Sequence, residues 1–452
     1  MRIGRSAIVA LAAAALTLSG CAGGAEDPTP DPTTDAAGEA TEEATDDAGE
    51  EPEAGDGEND ITLWLMGGDT PDELRDYLKT TYNEKTGGTL TIEEQGWGDA
   101  VAKLVTALPD AANTPDVTEI GNTWSPTFTT VGAFSEISDM MDELGGDSLV
   151  ESFVDVGTVD GANYAVPYYF GSRYIFYRTD IWSAAGKDVP ETLGEFNESV
   201  AALRTDDQSG FYLGGSDWRN GISWIFAIGG ELAVQGDDGQ WESSLSMPET
   251  QEGLKQFQEL FQNASNAPAT EFDSTPWVNI NDNSDTGAPE AATIIAPGWA
   301  RWSIGDPDPD NDEAVIWNDE KFDIFGLPGV DGGMAPVFAG GSNIGISAAS
   351  QKQEAAKELK RIIFSNEYQT MLGQNGLGPG NLDFASALGD DKFAQTLIDT
   401  AAASKLTPAA PGWAAVEGAS LLEEFFGKVA EGGDIAALAA EYDGKITPML
   451  NN

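Results

Sequence analysis

Histidine is absent from this chain of 452 residues, and cysteine occurs once, at position 21. Zinc sites built on imidazole or several thiolates, Ser-His-Asp triads and Cys-His pairs are therefore excluded. A single thiol also leaves no disulfide within the chain. What remains for catalysis is a pair of carboxylates, and Asp and Glu number 77. A carboxylate-dependent glycosidase holds two of them roughly 5–10 Å apart about the scissile bond. No acidic pair here stands in a recognisable motif. The densest folded-region run, DPDPDNDE at 306–313, offers oxygen ligands for calcium. It lacks the glycine at the sixth position of an EF-hand loop, and Trp317 stands where the bidentate glutamate belongs. A solvated loop without metal is expected. Gly340-Gly341 carries no P-loop or dinucleotide spacing, so no cofactor is expected. The net charge of −55 repels phosphate backbones, which argues against nucleic acid as a partner.

The elements that must position any site begin after an address. Arg2 and Arg5 precede the apolar stretch Ala7–Leu18, too short to span a bilayer, and Leu18-Ser19-Gly20-Cys21 follows at once. That tetrapeptide resembles the bacterial lipobox, which implies a signal peptide over 1–20 and a diacylglyceryl group on Cys21. Residues 21–60 contain fifteen acidic residues between Glu26 and Asp60, with no Lys, Arg or aromatic. Such a segment cannot offset its ordering entropy by burial, and it reads as a disordered tether.

From Ile61 onward the chain is long enough for two lobes. Strands are expected at 61–66, 90–94 and 116–120, with helices at 71–84 and 100–108 between them. This alternation argues for parallel α/β sheets. Ligands then settle at the carboxyl ends of strands, here Gly67–Asp69, Gly96–Trp97 and Gly121–Trp124. Tyr164–Asp180 and Gln374–Gly380 read as extended crossings between lobes. Helices are expected at 193–203, 221–229, 251–261 and 353–364, and strands at 293–295, 322–327 and 344–347.

Taken in order, several landmarks carry a resemblance. They are Pro115-Asp116-Val117, Gly132–Ile137, Tyr164–Pro167 through Asp180, Ala185-Gly186 and Gly229-Gly230. Pro297-Gly298-Trp299, Leu327-Pro328-Gly329, Gly340–Asn343 with Ile346-Ser347, and Glu354-Ala355-Ala356 leading to Ser365–Gln369 complete the set. Together they resemble the extracellular solute-binding proteins of ABC importers, the sugar-transporting family that includes maltose-binding protein. The resemblance covers Ile61 to Asn452. It implies a two-lobe periplasmic-binding-protein-like α/β fold with parallel-sheet lobes and a multi-strand hinge. The first lobe would hold 61–168 and 326–378, the second 170–325 and 380–452. It also implies a monomer that delivers a carbohydrate to ABC permease subunits outside the cell membrane, anchored there through Cys21.

A sugar presents an apolar C–H face and a rim of hydroxyls, so its site needs aromatic plates and polar partners. Seven of the twelve tryptophans are candidate plates: Trp97, Trp124, Trp218, Trp224, Trp277, Trp299 and Trp413. The resemblance places Trp299 and Trp413 at stacking positions and Asn122, Thr123 and Trp124 at first-lobe contacts. Asp69, Tyr168, Arg173, Asp217 and Asn343 are candidate polar partners, with Gly341 allowing close backbone approach. Where maltose-binding protein has a ligand-binding glutamate, this chain has Gly171, which argues against maltose itself. The competing readings are a surface-anchored glycosidase and a binder of a non-sugar solute such as a polyol.

Overall fold

Ile61, Leu63 and Leu65 pack into one apolar cluster, while Trp64 and Met66 pack into another. Alternation of this kind, with both sides covered, marks a strand inside a sheet flanked by helices. The structure, a computed structural model, describes residues 57–272, 275–309 and 311–451. The expected signal peptide, Cys21 and the expected tether up to residue 56 lie outside the described residues.

In chain order the principal elements are β1 (Ile61–Met66), α1 (Asp72–Thr86), β2 (Leu90–Gln95), α2 (Ala100–Ala107), β3 (Val117–Gly121) and α3 (Ser125–Thr130). Next come β4 (Ala165–Gly171), β5 (Arg173–Arg178), α4 (Leu193–Leu203), α5 (Trp218–Ala227) and α6 (Pro248–Ala264). The chain continues with β6 (Thr293–Pro297), β7 (Phe322–Phe325), β8 (Gly340–Ile346), α7 (Gln353–Ile363), α8 (Asn366–Gln374) and β9 (Gly378–Pro379). Helices α9 (Trp413–Gly418), α10 (Leu421–Ala430) and α11 (Ile435–Leu450) finish it.

The first sheet has the order β9-β4-β8-β3-β1-β2. Strands β1, β2 and β3 are parallel, as alternation with helices requires. Strand β8 runs antiparallel to both β3 and β4, and β9 antiparallel to β4, so the sheet is mixed. The reason is the route taken: a βα crossover returns the chain to the same end of a sheet, whereas β8 enters straight from the second sheet. That second sheet, β6-β5-β7, is antiparallel, and parallel bridges Ser209–Ala291 and Tyr212–Ile294 extend it.

Helix α1 buries Leu74, Leu78 and Tyr82, four residues apart, and each such side chain contributes roughly 1.5–3 kcal/mol. Helix α7 buries Ala355, Ala356, Leu359, Ile362 and Ile363 against the same cluster. It also buries Lys360, whose Nζ donates to the Ile344 carbonyl at 2.9 Å; burial pushes its pKa down to about 7.

The chain passes from the first sheet to the second with one residue, Ser172, between β4 and β5. It returns between β7 and β8, and leaves again after β9. Leu327, Ala335, Val337 and Phe338, within the stretch assigned from sequence to the first lobe, pack into the cluster that also holds Trp218, Trp224 and Phe426. The acidic run at 306 opens an antiparallel ribbon, and Asp306 is held by Lys321 and Asn318.

Candidate functional site

Pairing register brings four strand ends to one edge. Met66 at the end of β1 faces Gln95 at the end of β2. Gly121 at the end of β3 faces Ser342 on β8, and Ser342 faces Tyr169 near the end of β4. Beyond β4, Pro297 at the end of β6 faces Arg173. Residues that follow these ends therefore converge where the chain passes between sheets, the position at which open α/β sheets bind ligands.

Trp97, just after β2, lies on Gly67, just after β1. Gly67 has φ +54°, and a Cβ there would stand 2.9 Å from the indole. The Trp97 indole donates to Asp69 Oδ2 at 3.1 Å, and the Tyr169 hydroxyl donates to the same oxygen at 3.0 Å. Asp69 is exposed as a residue, but its carboxyl end is tucked between these two rings. That desolvation raises its pKa, against the two hydrogen bonds. Trp124, after β3, packs on Trp97 with ring centroids 5.4 Å apart. Trp97 is 36 % exposed and Trp124 half-buried, so indole surface and a hydrogen-bonding carboxylate are presented together.

Across the passage, the Gly298 N–H donates to the Ser172 carbonyl at 3.0 Å, which seats the turn bearing Trp299. Trp299 is 57 % exposed, and Trp277 meets it edge-on at 4.9 Å. Arg173 stacks over Phe338 at 4.7 Å and donates to its carbonyl at 3.4 Å. Asn122 donates to the Ala339 carbonyl at 3.1 Å, so it ties β3 to the second passage.

One carboxylate links the two sides. Glu417 on α9 accepts from the Trp413 indole at 2.9 Å and from the Thr123 hydroxyl at 3.3 Å. Arg219 on α5 lies 4.0 Å from it. Burial raises the Glu417 pKa, and the Arg219 charge opposes the rise. Nearby, Thr127 donates to the Pro411 carbonyl at 2.6 Å.

Several residues expected to touch ligand are placed otherwise. Trp224 is fully buried in the second core, its indole donating to Asn197, because α5 is buried along most of its length. Asp217 is the N-cap of α5, accepting from the backbone and side chain of Asn220. Tyr168 is buried between the hydroxyls of Thr70 and Tyr368. Asn343 is buried and donates to the Phe153 carbonyl. Gly341 (φ +135°) gives close approach to β4, where a Cβ would stand 2.4 Å from the Tyr169 carbonyl, rather than approach to a ligand. Trp218 and Trp413 are fully buried and supply support: Trp218 stacks under Arg219 at 4.7 Å, and Trp413 holds Glu417. The structure thus brings together Asp69, Trp97, Thr123 and Trp124, with Trp299 beside the passage.

Tyr169, Arg219 and Glu417 were not anticipated. Glu417 follows Trp413 by four residues, a helical spacing that could have shown it. Beneath the first wall, Glu119 on β3 is fully buried, accepts from the Met66 N–H at 2.8 Å, and has Oε1 without a hydrogen-bond partner. Burial pushes its pKa up to about 7, with that N–H the leading opposing influence.

Residues 78–401 match the family of bacterial extracellular solute-binding proteins. The diacetylchitobiose binding protein DasA of Streptomyces coelicolor is 30 % identical over 399 residues, which cover 86 % of this chain and 89 % of that one. The sugar-binding protein MalE of Xanthomonas citri shares the fold with a TM-score of 0.71 at 20 % identity, over 86 % of this chain and 97 % of its own. A solute-binding protein of Thermotoga lettingae, bound with α-D-tagatose, gives 0.69 at 20 % identity, over 86 % and 99 %.

Proposed function

Because this chain belongs to the bacterial extracellular solute-binding proteins, we propose that it captures an oligosaccharide between its lobes and hands it, unaltered, to the membrane subunits of an ABC transporter. The carrying observation is that partly exposed indole surface and a hydrogen-bonding carboxylate meet at one sheet edge, with Trp97 and Trp124 beside Asp69 and Tyr169. A pyranose needs that combination: a flat apolar surface for its C–H face and acceptors for its hydroxyls. Trp299 supplies a plate from the second side, and Glu417 an acceptor within reach of Thr123 on the first.

DasA, the relative at 30 % identity, is named for a disaccharide of N-acetylated sugars. This supports an oligosaccharide over a polyol as the ligand here. The lobes close by rotation about Gly171–Arg173 and the two other passages. Cys21 carries the lipid that holds the protein at the outer face of the cell membrane, and the acidic segment keeps the lobes clear of it. The relatives are solute-binding proteins, and capture without turnover is the activity proposed for this chain.

The test is a titration of the purified protein with chito- and malto-oligosaccharides, followed by tryptophan fluorescence and thermal shift. Saturable binding with the sugar recovered intact supports capture. Recovery of cleaved sugar overturns it in favour of a glycosidase, and silence across the panel overturns the sugar assignment.

A further inference from the structure

Trp302 has no place in the contacts described so far, yet it is the most exposed tryptophan among the described residues, with 69 % of its surface open. It follows Trp299 by three residues within one short 3-10 helix, Gly298–Ser303. With three residues per turn, positions i and i+3 eclipse, and one turn rises about 6 Å. The two indoles therefore stand on the same side of the turn, stepped by about the length of one pyranose unit.

Both rings are braced. Trp277 meets Trp299 edge-on at 4.9 Å. The Arg301 guanidinium lies 4.2 Å from the centre of Trp302, and Asp391 holds that guanidinium at 3.8 Å. Arg301 covers one face of the indole and leaves the other available. The Gly298–Ser172 hydrogen bond fixes the near end of this step at the passage between the sheets. Two exposed indoles side by side, with Arg301 and Asp391 at their edge, form the kind of rimmed apolar surface that serves as a contact site. Stepped rings at sugar spacing point to a chain of pyranoses as what covers it.

We propose that Trp302 is a second stacking plate, continuous with Trp299, that selects sugars long enough to reach it, a chain of at least three pyranose units. This rests on the sugar-capture reading and extends it to chain length.

The test is calorimetric titration of the full-length protein and of Trp302→Ala and Trp302→Phe with chito- and malto-oligosaccharides, from the monosaccharide to the hexasaccharide. In the wild type, affinity is expected to rise about tenfold between the disaccharide and the longer chains. Trp302→Ala removes that rise and leaves disaccharide affinity within about twofold, while Trp302→Phe restores part of the rise. Equal weakening at every length, or no weakening at any, overturns the plate while capture stands. So does a wild type that binds all lengths alike. Failure of the wild type to bind any member of either series overturns the capture reading and the plate with it. An unchanged melting temperature for Trp302→Ala separates loss of contact from loss of fold.

Discussion

Thr123 Oγ1 donates to Glu417 Oε2 across 3.3 Å, so the turn that ends β3 and the helix that begins at Trp413 meet through one buried carboxylate. Removing that carboxylate strands several groups at once. Glu417→Ala leaves the buried Trp413 indole without its acceptor, which costs about 1–3 kcal/mol, and takes the carboxylate from the partly exposed Arg219 guanidinium. We expect a lower melting temperature and at least about a tenfold loss of sugar affinity. Glu417→Gln keeps an acceptor for Trp413 and recovers most of the stability. Thermal denaturation and calorimetry on the two variants separate the contributions.

Trp124 and Trp224 make opposite predictions. Trp124→Ala removes a half-exposed plate, so sugar affinity falls about tenfold or more with little change in melting temperature. Trp224→Ala empties part of the second core and destabilises the fold by about 3–5 kcal/mol. Its affinity for sugar, measured well below its melting temperature, stays near that of the wild type. Parallel titrations and melts of the two variants read this directly.

Glu119 gives a pH dependence of known sign. Its folded pKa of about 7 lies above the ordinary value of 4.5, so the folded state binds the extra proton between these limits. Its contribution is fully present below about 4.5 and is lost as pH rises through about 7, a decline on the order of 3 kcal/mol. Lys360 acts with the opposite sign and only above about 7, so it does not mask this window. Glu119→Gln, neutral at every pH, should gain stability relative to the wild type as pH rises from 5 to 7. Denaturant unfolding at several pH values checks it.

If Cys21 carries the lipid, Cys21→Ser should move the protein from the membrane fraction to the medium or the soluble extracytoplasmic fraction. Its sugar affinity should be unchanged. Cell fractionation followed by titration of the released protein distinguishes anchoring from binding.

Periodicity made β1 and α1 legible, because each repeats its buried residues at its own period, whereas β3 is a short run buried throughout. The loop residues after those strands followed from strand-end logic, and Trp97, Trp124 and Asp69 do meet there. Strand direction was not legible: β8, a glycine-rich strand ending in Ile344-Gly345-Ile346, carries no directional signal, and its antiparallel course depends on where the chain comes from. Trp224 was misread as a plate although its neighbours Ile222, Ile225 and Phe226 are all apolar and buried, the pattern of a core helix. Of two adjacent tyrosines the second holds Asp69, and near them β8 carries a register shift between Ser342 and Asn343 that no local pattern announces. Glu119 sits in a run of wholly buried residues, where its type alone does not reveal that it is retained without full pairing.

A lone residue, Ser172, separates the two sheets along the β4–β5 passage. On the proposed reading, a sugar bound to the first-lobe plates has not left solution as far as the second lobe is concerned, unless that lobe is kept close. The short joint would keep it close, so the second half of the proposed site would meet its ligand as an intramolecular reaction at high effective concentration. Inserting a flexible linker after Gly171 would leave both half-sites chemically intact and still weaken capture, because the lobes would then have to find each other as well as the sugar.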